Sequence, residues 1–224
     1  MAETGMEAKE TKKPRRRRLP PEMRREMILE AAIAYFADHG FEVQIRHLAS
    51  KIGISPALIF KYFETKEVLI DAVYEAVFES RWQEEWVTTL TDRSLPLSDR
   101  LVAFYRSYMA TTDDRNWIRI AMRASLDNSA MTRRYLADHV SRILVLIADE
   151  IEAALPESSL SQRSMSTPEL RIEYVWHLHS TVIYYLIRKH IHQVPVLEDP
   201  DELILLIVDQ TISSGKEGTA RRAK

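Results

Sequence analysis

The sequence predicts an all-α fold, and three observations carry the prediction. Glycine is nearly confined to the ends: of five, Gly5, Gly215 and Gly218 lie in the terminal segments, and only Gly40 and Gly53 stand inside. β-Rich domains need glycine at hairpin turns and bulges, so residues 54–214, which contain none, argue for helices. Apolar residues recur at the i, i+3, i+4 spacing of amphipathic helices. Helix starts are marked by a capping residue before proline: Ser55-Pro56, Thr167-Pro168 and Asp199-Pro200.

The elements follow in order. Residues 21–39 place Met27, Ile28, Ala31, Ala32, Tyr35 and Phe36 on one helical face, and Gly40 ends the run. A second helix carries Ile45, Leu48, Ala49 and Ile52 on one side and stops at Gly53. The third is "SPALIFKYF", residues 55–63. Thr65 caps a fourth, expected to run through Val68, Leu69, Ala72, Val73, Ala76 and Val77 toward Trp86. "SLPLSDR" is a break, and helical patterns follow near 97–111, 115–125 and 131–154. Residues 156–167 read as a Ser-rich loop. Two long helices then close the chain, one toward His192 and one carrying "LILLIV". Both are apolar around most of their circumference, which predicts burial on several sides, by their own domain or by a partner chain; two such helices at one end favour a dimer interface.

Composition narrows the function classes. With no cysteine there is no disulfide framework and no thiolate chemistry, which fits a reducing, cytoplasmic setting. No apolar run reaches the roughly 18–20 residues of a membrane span. The polar, then basic, start does not have the pattern of a secretory signal. Without internal glycine-rich loops, nucleotide-binding enzymes are disfavoured.

The net charge of −2 hides an asymmetry. Residues 11–66 carry 12 Lys/Arg against 6 Asp/Glu, whereas residues 67–224 carry 18 against 24. A basic front and an acidic rear suggest that only the front meets a polyanion; a merely solvated imbalance is the alternative reading.

Residues 44–63 have the layout of a helix-turn-helix: a short helix, a turn at Gly53 and a second helix suited to a major groove. Ile54, Leu58, Ile59 and Phe63 are expected to face the core, with Lys61 and Tyr62 outward. The longer stretch "RREMILEAAIAYFADHGFEVQIRHLASKIGISPALIFKYFETKEVLIDAVYE", residues 24–75, resembles the DNA-binding domain of TetR-family transcriptional regulators. Ile28, Ala31, Ala32, Phe36, Gly40, Arg46, Leu48, Ala49, Gly53, Ser55, Phe63, Lys66, Glu67 and Leu69 carry the resemblance.

The resemblance implies a three-helix helix-turn-helix head over residues 21–66 and a larger helical effector-binding and dimerisation domain over residues 67–213. It implies a homodimer joined by the last two long helices, which binds a palindromic DNA operator and responds, as a repressor, to a largely apolar small molecule. Gln44, Arg46, Ser55, Pro56, Ala57, Phe60, Lys61, Tyr62 and Lys66 are the implied DNA-facing residues. Three positions of the head depart from the family pattern. Gln44 replaces a capping threonine, Leu58 stands where a threonine is frequent, and Phe60 replaces a phosphate-binding tyrosine. The two lost hydroxyls keep open an alternative: a small-molecule binding protein with a vestigial head.

Residues 1–20 are expected to be a disordered arm, and residues 214–224 a disordered tail. The arm's "KKPRRRR" can track phosphates or a minor groove, or simply be solvated.

In the rear domain, Tyr105, Tyr108, Trp117, Met122 and Tyr185 are the candidates to line the implied pocket, since aromatic and Met side chains suit apolar recognition. Arg106, Arg119 and Arg123 are candidates to pair with an acidic effector. His139, His177, His179, His190 and His192 do not have chelating i, i+4 spacing, so they read as polar or interface residues rather than metal ligands. No nucleophile–base arrangement, cofactor loop or metal cluster is recognisable. The expectation is therefore a non-enzymatic protein with no cofactor, no metal and no membrane partner.

Overall fold

The computed structural model describes residues 19–127, 129–155 and 165–213. Among these residues there is no strand, and no helix is long and apolar enough to cross a membrane. The basic arm, most of the Ser-rich loop and the C-terminal tail lie outside the described residues.

The head consists of α1 (Pro21–His39), α2 (Ile45–Ile52) and α3 (Pro56–Tyr62). Its core is the predicted apolar set: Ile28, Ala32, Phe36, Ile45, Leu48, Ala49, Ile59 and Phe63 are all buried. Ile54 and Leu58 are half-buried at its edge. The Arg25 guanidinium covers the Phe63 ring, 4.7 Å from its centroid.

The turn between α2 and α3 requires Gly53. Its φ of 68° is left-handed, Ile54 N–H donates to Ala49 O at 3.0 Å, and Gly53 N–H donates to Ser50 O at 3.2 Å. This is the Schellman arrangement, which satisfies the last carbonyls of a helix and reverses the chain.

α4 (Lys66–Val77) starts as expected, with Thr65 Oγ1 accepting Val68 N–H at 3.2 Å. It does not continue to Trp86. The chain leaves α-helix at Phe78, makes a 3₁₀ turn at Glu79–Arg81, and starts a separate α5 (Glu85–Thr91). The phase explains the difference: at about 100° per residue, Trp86 falls half a turn away from Val77, so one straight helix would bury one and expose the other. Breaking the helix buries both.

The rear domain continues with α6 (Leu97–Thr112), α7 (Arg115–Asp127), α8 (Ser129–Tyr135), α9 (Ser141–Ala154), α10 (Pro168–Ile187) and α11 (Pro200–Ser213). The expected 131–154 helix is α8 and α9 joined by a π turn at Leu136–Val140. A second π turn, Arg188–His192, ends α10, and Gln193 then takes a left-handed φ of 54°. The caps read from sequence are made: Thr167 Oγ1 accepts Leu170 N–H at 3.3 Å, and Asp199 Oδ1 accepts Asp201 N–H at 2.9 Å.

One ion pair is buried in this core. Arg100 Nη1 lies 2.6 Å from Glu150 Oε2 and donates to Leu90 O, while Arg93 holds Glu150 Oε1 at 2.9 Å. These arginines keep the Glu150 carboxyl below the usual carboxylate range, Arg93 foremost. Burying such a pair is tolerable because both Glu150 oxygens are bonded to arginine and Arg100 Nη1 also donates to a backbone carbonyl, although Arg100 Nε has no partner among the described residues.

Candidate functional site

The head presents α3 to solvent along one stripe. Ser55, Pro56, Ala57, Phe60 and Lys61 are exposed, with Ile59 buried behind them. Ser55 Oγ accepts Leu58 N–H at 3.3 Å, so the predicted cap is formed. Gln44 and Arg46 are exposed at the start of α2, and Gln44 makes no side-chain cap bond there. Phe60 is 41% exposed, a large apolar ring facing water. Tyr62 is half-buried against the core rather than fully outward, and Lys66 is half-buried at the start of α4.

A seam between α7 and the end of α1, which the sequence pattern of neither helix announces, ties the head to the rear domain. Arg115, Arg119, Arg123 and Asp127 recur every four residues and share one face of α7. Arg115 Nη2 lies 2.7 Å from Asp38 Oδ1. Arg119 donates to Ala37 O at 3.1 Å, and Arg123 donates to Asp38 O at 3.2 Å. The arginines thus meet the negative end of the α1 dipole and its unpaired carbonyls. Asp127 Oδ2 accepts Phe41 N–H at 3.1 Å in the α1–α2 turn. Arg115 beside Asp38 holds that carboxyl below its ordinary value. Arg119 and Arg123 are therefore engaged with the head, and Arg106 with Asp201 at 2.9 Å; none of the three lines the cavity described next.

The opposite face of α7 lines a two-lobed cavity in the rear domain. The larger lobe has a volume of about 160 Å³ and is bounded by Trp117, Ile118, Ala121 and Met122 of α7 with Phe78, Tyr108, Leu136, Trp176 and Ile183. The smaller, about 20 Å³, reaches Arg81, Trp82, Trp86, Thr112, His139 and Ile143. Phe78, Tyr108, Trp117, Tyr135, Val140 and His179 border both. The π turn at Leu136–Val140 supplies part of this wall, a position where such bulges frequently serve function.

Of the five pocket candidates, Tyr108, Trp117 and Met122 are brought together here. Tyr105 and Tyr185 are not among the lining residues: Tyr105 is buried against Phe104, and Tyr185 donates to Leu197 O at 2.9 Å beneath the α10–α11 connection. Their aromatic character could not distinguish packing from lining, because both environments select the same residue types.

The polar groups at the cavity are few. His179, a polar or interface residue by its spacing, is 2% exposed, and its Nδ1 has no hydrogen-bond partner among the described residues. Its ring is 5.1 Å from that of Tyr108 and 5.8 Å from that of Trp176. Burial pushes its pKa down to about 4, so it is neutral at physiological pH. Burial raises the Tyr108 hydroxyl well above its ordinary value and the Tyr135 hydroxyl to about 12. Arg81 is committed to Thr111 O at 2.9 Å and Asp114 at 3.1 Å. Among the described residues, no three His, Asp or Glu side chains converge as metal ligands.

Comparison with known proteins agrees with this division. Residues 28–73 match the family model described as bacterial regulatory proteins, tetR family. No curated protein matches. Among solved structures, a TetR-like transcriptional regulator from Rhodococcus sp. RHA1 superposes with a TM-score of 0.65 at 19% identity, covering 88% of this chain and 99% of that one. AmtR of Mycobacterium smegmatis gives 0.56 at 21% identity, covering 94% and 98%. A TetR-family regulator from Streptomyces coelicolor gives 0.54 at 20% identity, covering 91% and 85%. The chain carries the amino-terminal domain of the tetR family of bacterial regulatory proteins, on the fold of TetR-family transcriptional regulators.

Proposed function

We propose that the protein is a homodimeric, ligand-responsive transcriptional repressor that binds a palindromic operator and acts by binding rather than by catalysis. The observation that carries this reading is the double role of α7. One face grips the end of α1 through Arg115, Arg119, Arg123 and Asp127, and the other walls the cavity. A ligand that binds better to one position of α7 than to another shifts that helix, and the seam passes the shift to the head. The effector then favours a spacing of two heads that misfits the operator, a coupling of typically about 1–3 kcal/mol.

In this reading α3 enters the major groove with Ser55, Pro56, Ala57, Phe60, Lys61 and Tyr62. Gln44, Arg46 and Lys66 stand along the phosphates, with the basic arm at residues 12–18 as an additional contact. The dimer forms through α10 and α11. Supporting this, Tyr184, Leu205 and Leu206 are each at least half exposed on those helices. Pairing would cover them and set the heads roughly 34 Å apart, one turn of DNA. The place of action is the cytoplasm, at the nucleoid.

The test is selection from fragments of the host genome, followed by fluorescence anisotropy. A selected palindromic duplex, bound far more tightly than random DNA by a protein that sediments as a dimer, is the expected result. Salt-sensitive binding with no preferred site would instead favour the vestigial-head alternative, which exposed Phe60 and half-buried Leu58 motivate. Leu205→Glu with Leu206→Glu is expected to yield monomers with much weakened operator binding.

A further inference from the structure

We propose that the rear cavity recognises a small, neutral, largely apolar ring compound carrying one hydroxyl, with the His179 imidazole as the group that reads the hydroxyl. This rests on the reading of the rear domain as an effector domain and names the chemistry that domain takes.

Size comes first. A larger lobe of about 160 Å³ matches cavities of about 150 Å³ that admit a single aromatic ring. Its lining is mostly aromatic and aliphatic, so the bulk of the ligand is apolar.

Charge is excluded next. Among the described residues, no Lys, Arg, Asp or Glu lines the larger lobe. The one cation at the smaller lobe, Arg81, is already engaged by Asp114 and Thr111 O. Arg106, Arg119 and Arg123 point elsewhere, to Asp201 and the end of α1. An anionic or cationic head would therefore be buried without a partner, which is strongly unfavourable.

Two polar requirements remain on the wall common to both lobes. The Tyr108 hydroxyl and His179 Nδ1 are both buried there without a hydrogen-bond partner among the described residues, and of the two side chains only the imidazole presents a nitrogen donor and a nitrogen acceptor. Buried polar atoms are rarely left so. A neutral imidazole offers a donor at one nitrogen and an acceptor at the other, and a hydroxyl can both donate and accept. A hydroxyl therefore satisfies His179 in either tautomer, whereas a carbonyl satisfies only one.

The experiment uses four ring probes of similar size on the full chain: p-cresol, toluene, benzoate and benzylamine, titrated by calorimetry and by quenching of tryptophan fluorescence. The expected order is p-cresol tightest, toluene about tenfold weaker for the lost hydrogen bond, and the two charged probes weaker still. In His179→Leu, with folding checked by circular dichroism, p-cresol and toluene should bind alike while toluene binding persists. The proposal is overturned if a charged probe binds tightest, if wild type does not prefer p-cresol to toluene, if the preference survives in His179→Leu, or if no probe binds. Wild-type selectivity decides the matter even where the variant misfolds. Selective duplex binding by the same preparation, measured without any probe, reports on the regulator reading separately, so a failure of one is distinguishable from a failure of the other.

Discussion

The Asp127 carboxylate accepts the backbone N–H of Phe41 at 3.1 Å across 86 residues of sequence. One partner ends the helix that walls the rear cavity, and the other opens the turn between α1 and α2. Asp127→Ala removes this link while leaving the cavity lining and the α3 stripe untouched. The expected loss is about 1–2 kcal/mol of stability, together with a diminished effect of a cavity ligand on DNA binding. Urea unfolding and paired anisotropy titrations, with and without ligand, check the two parts.

The two internal glycines should respond differently to alanine. Both have positive φ, 79° at Gly40 and 68° at Gly53. A Cβ at Gly53 meets nothing, so Gly53→Ala carries only the left-handed penalty of roughly 1–2 kcal/mol. A Cβ at Gly40 would run into the Asp127 carboxylate, so Gly40→Ala should be the more damaging. If the clash is the reason, Gly40→Ala should cost less in an Asp127→Ala background than in wild type, a coupling that a double-mutant cycle measures.

Lys61 is exposed on the α3 stripe. As a phosphate contact, its replacement by alanine should weaken operator binding evenly across sequences and reduce the salt slope by about 1. Anisotropy over a series of salt concentrations gives the slope directly, and an unchanged slope would remove Lys61 from the interface.

His179 sets a pH dependence of stability. Unfolded, its imidazole takes a proton near pH 6.5; folded, it remains neutral down to about 4. Between those values the unfolded chain binds more protons, so stability falls as pH falls through that window and is intact above it. The full difference is about 3 kcal/mol as an order of magnitude. His179→Leu should flatten this part of the curve, measured as melting temperature from pH 7 to 4.5. The remaining acid loss belongs to groups such as Glu150, whose lowered carboxyl pKa makes its contribution disappear only as pH falls through that lower value.

Glu150→Leu leaves Arg100 buried at 3% exposure without its carboxylate. The expected penalty is roughly 3–5 kcal/mol, and the double replacement Glu150→Leu with Arg100→Met should recover most of it. Denaturant midpoints of the wild type and the two variants test this.

Local signals decided much of this protein. Glycine scarcity, the Ser55, Thr65, Thr167 and Asp199 caps, and the apolar phase of α1 to α3 are properties of neighbouring residues. A helix start or stop depends on side chains within four positions, so these were legible. The α3 stripe followed for the same reason.

Tertiary structure decided what those signals leave open. It broke the helix between Val77 and Trp86, because burying both apolar faces required two directions. It separated Tyr108, Trp117 and Met122, which line the cavity, from Tyr105 and Tyr185, which are packed elsewhere. It turned Arg119 and Arg123 from candidate effector ligands into a clamp on α1 that Arg115 shares, and buried His179 on a cavity wall. The sequence placed each of these residues on a helix face; only the packing of distant helices determined what that face meets.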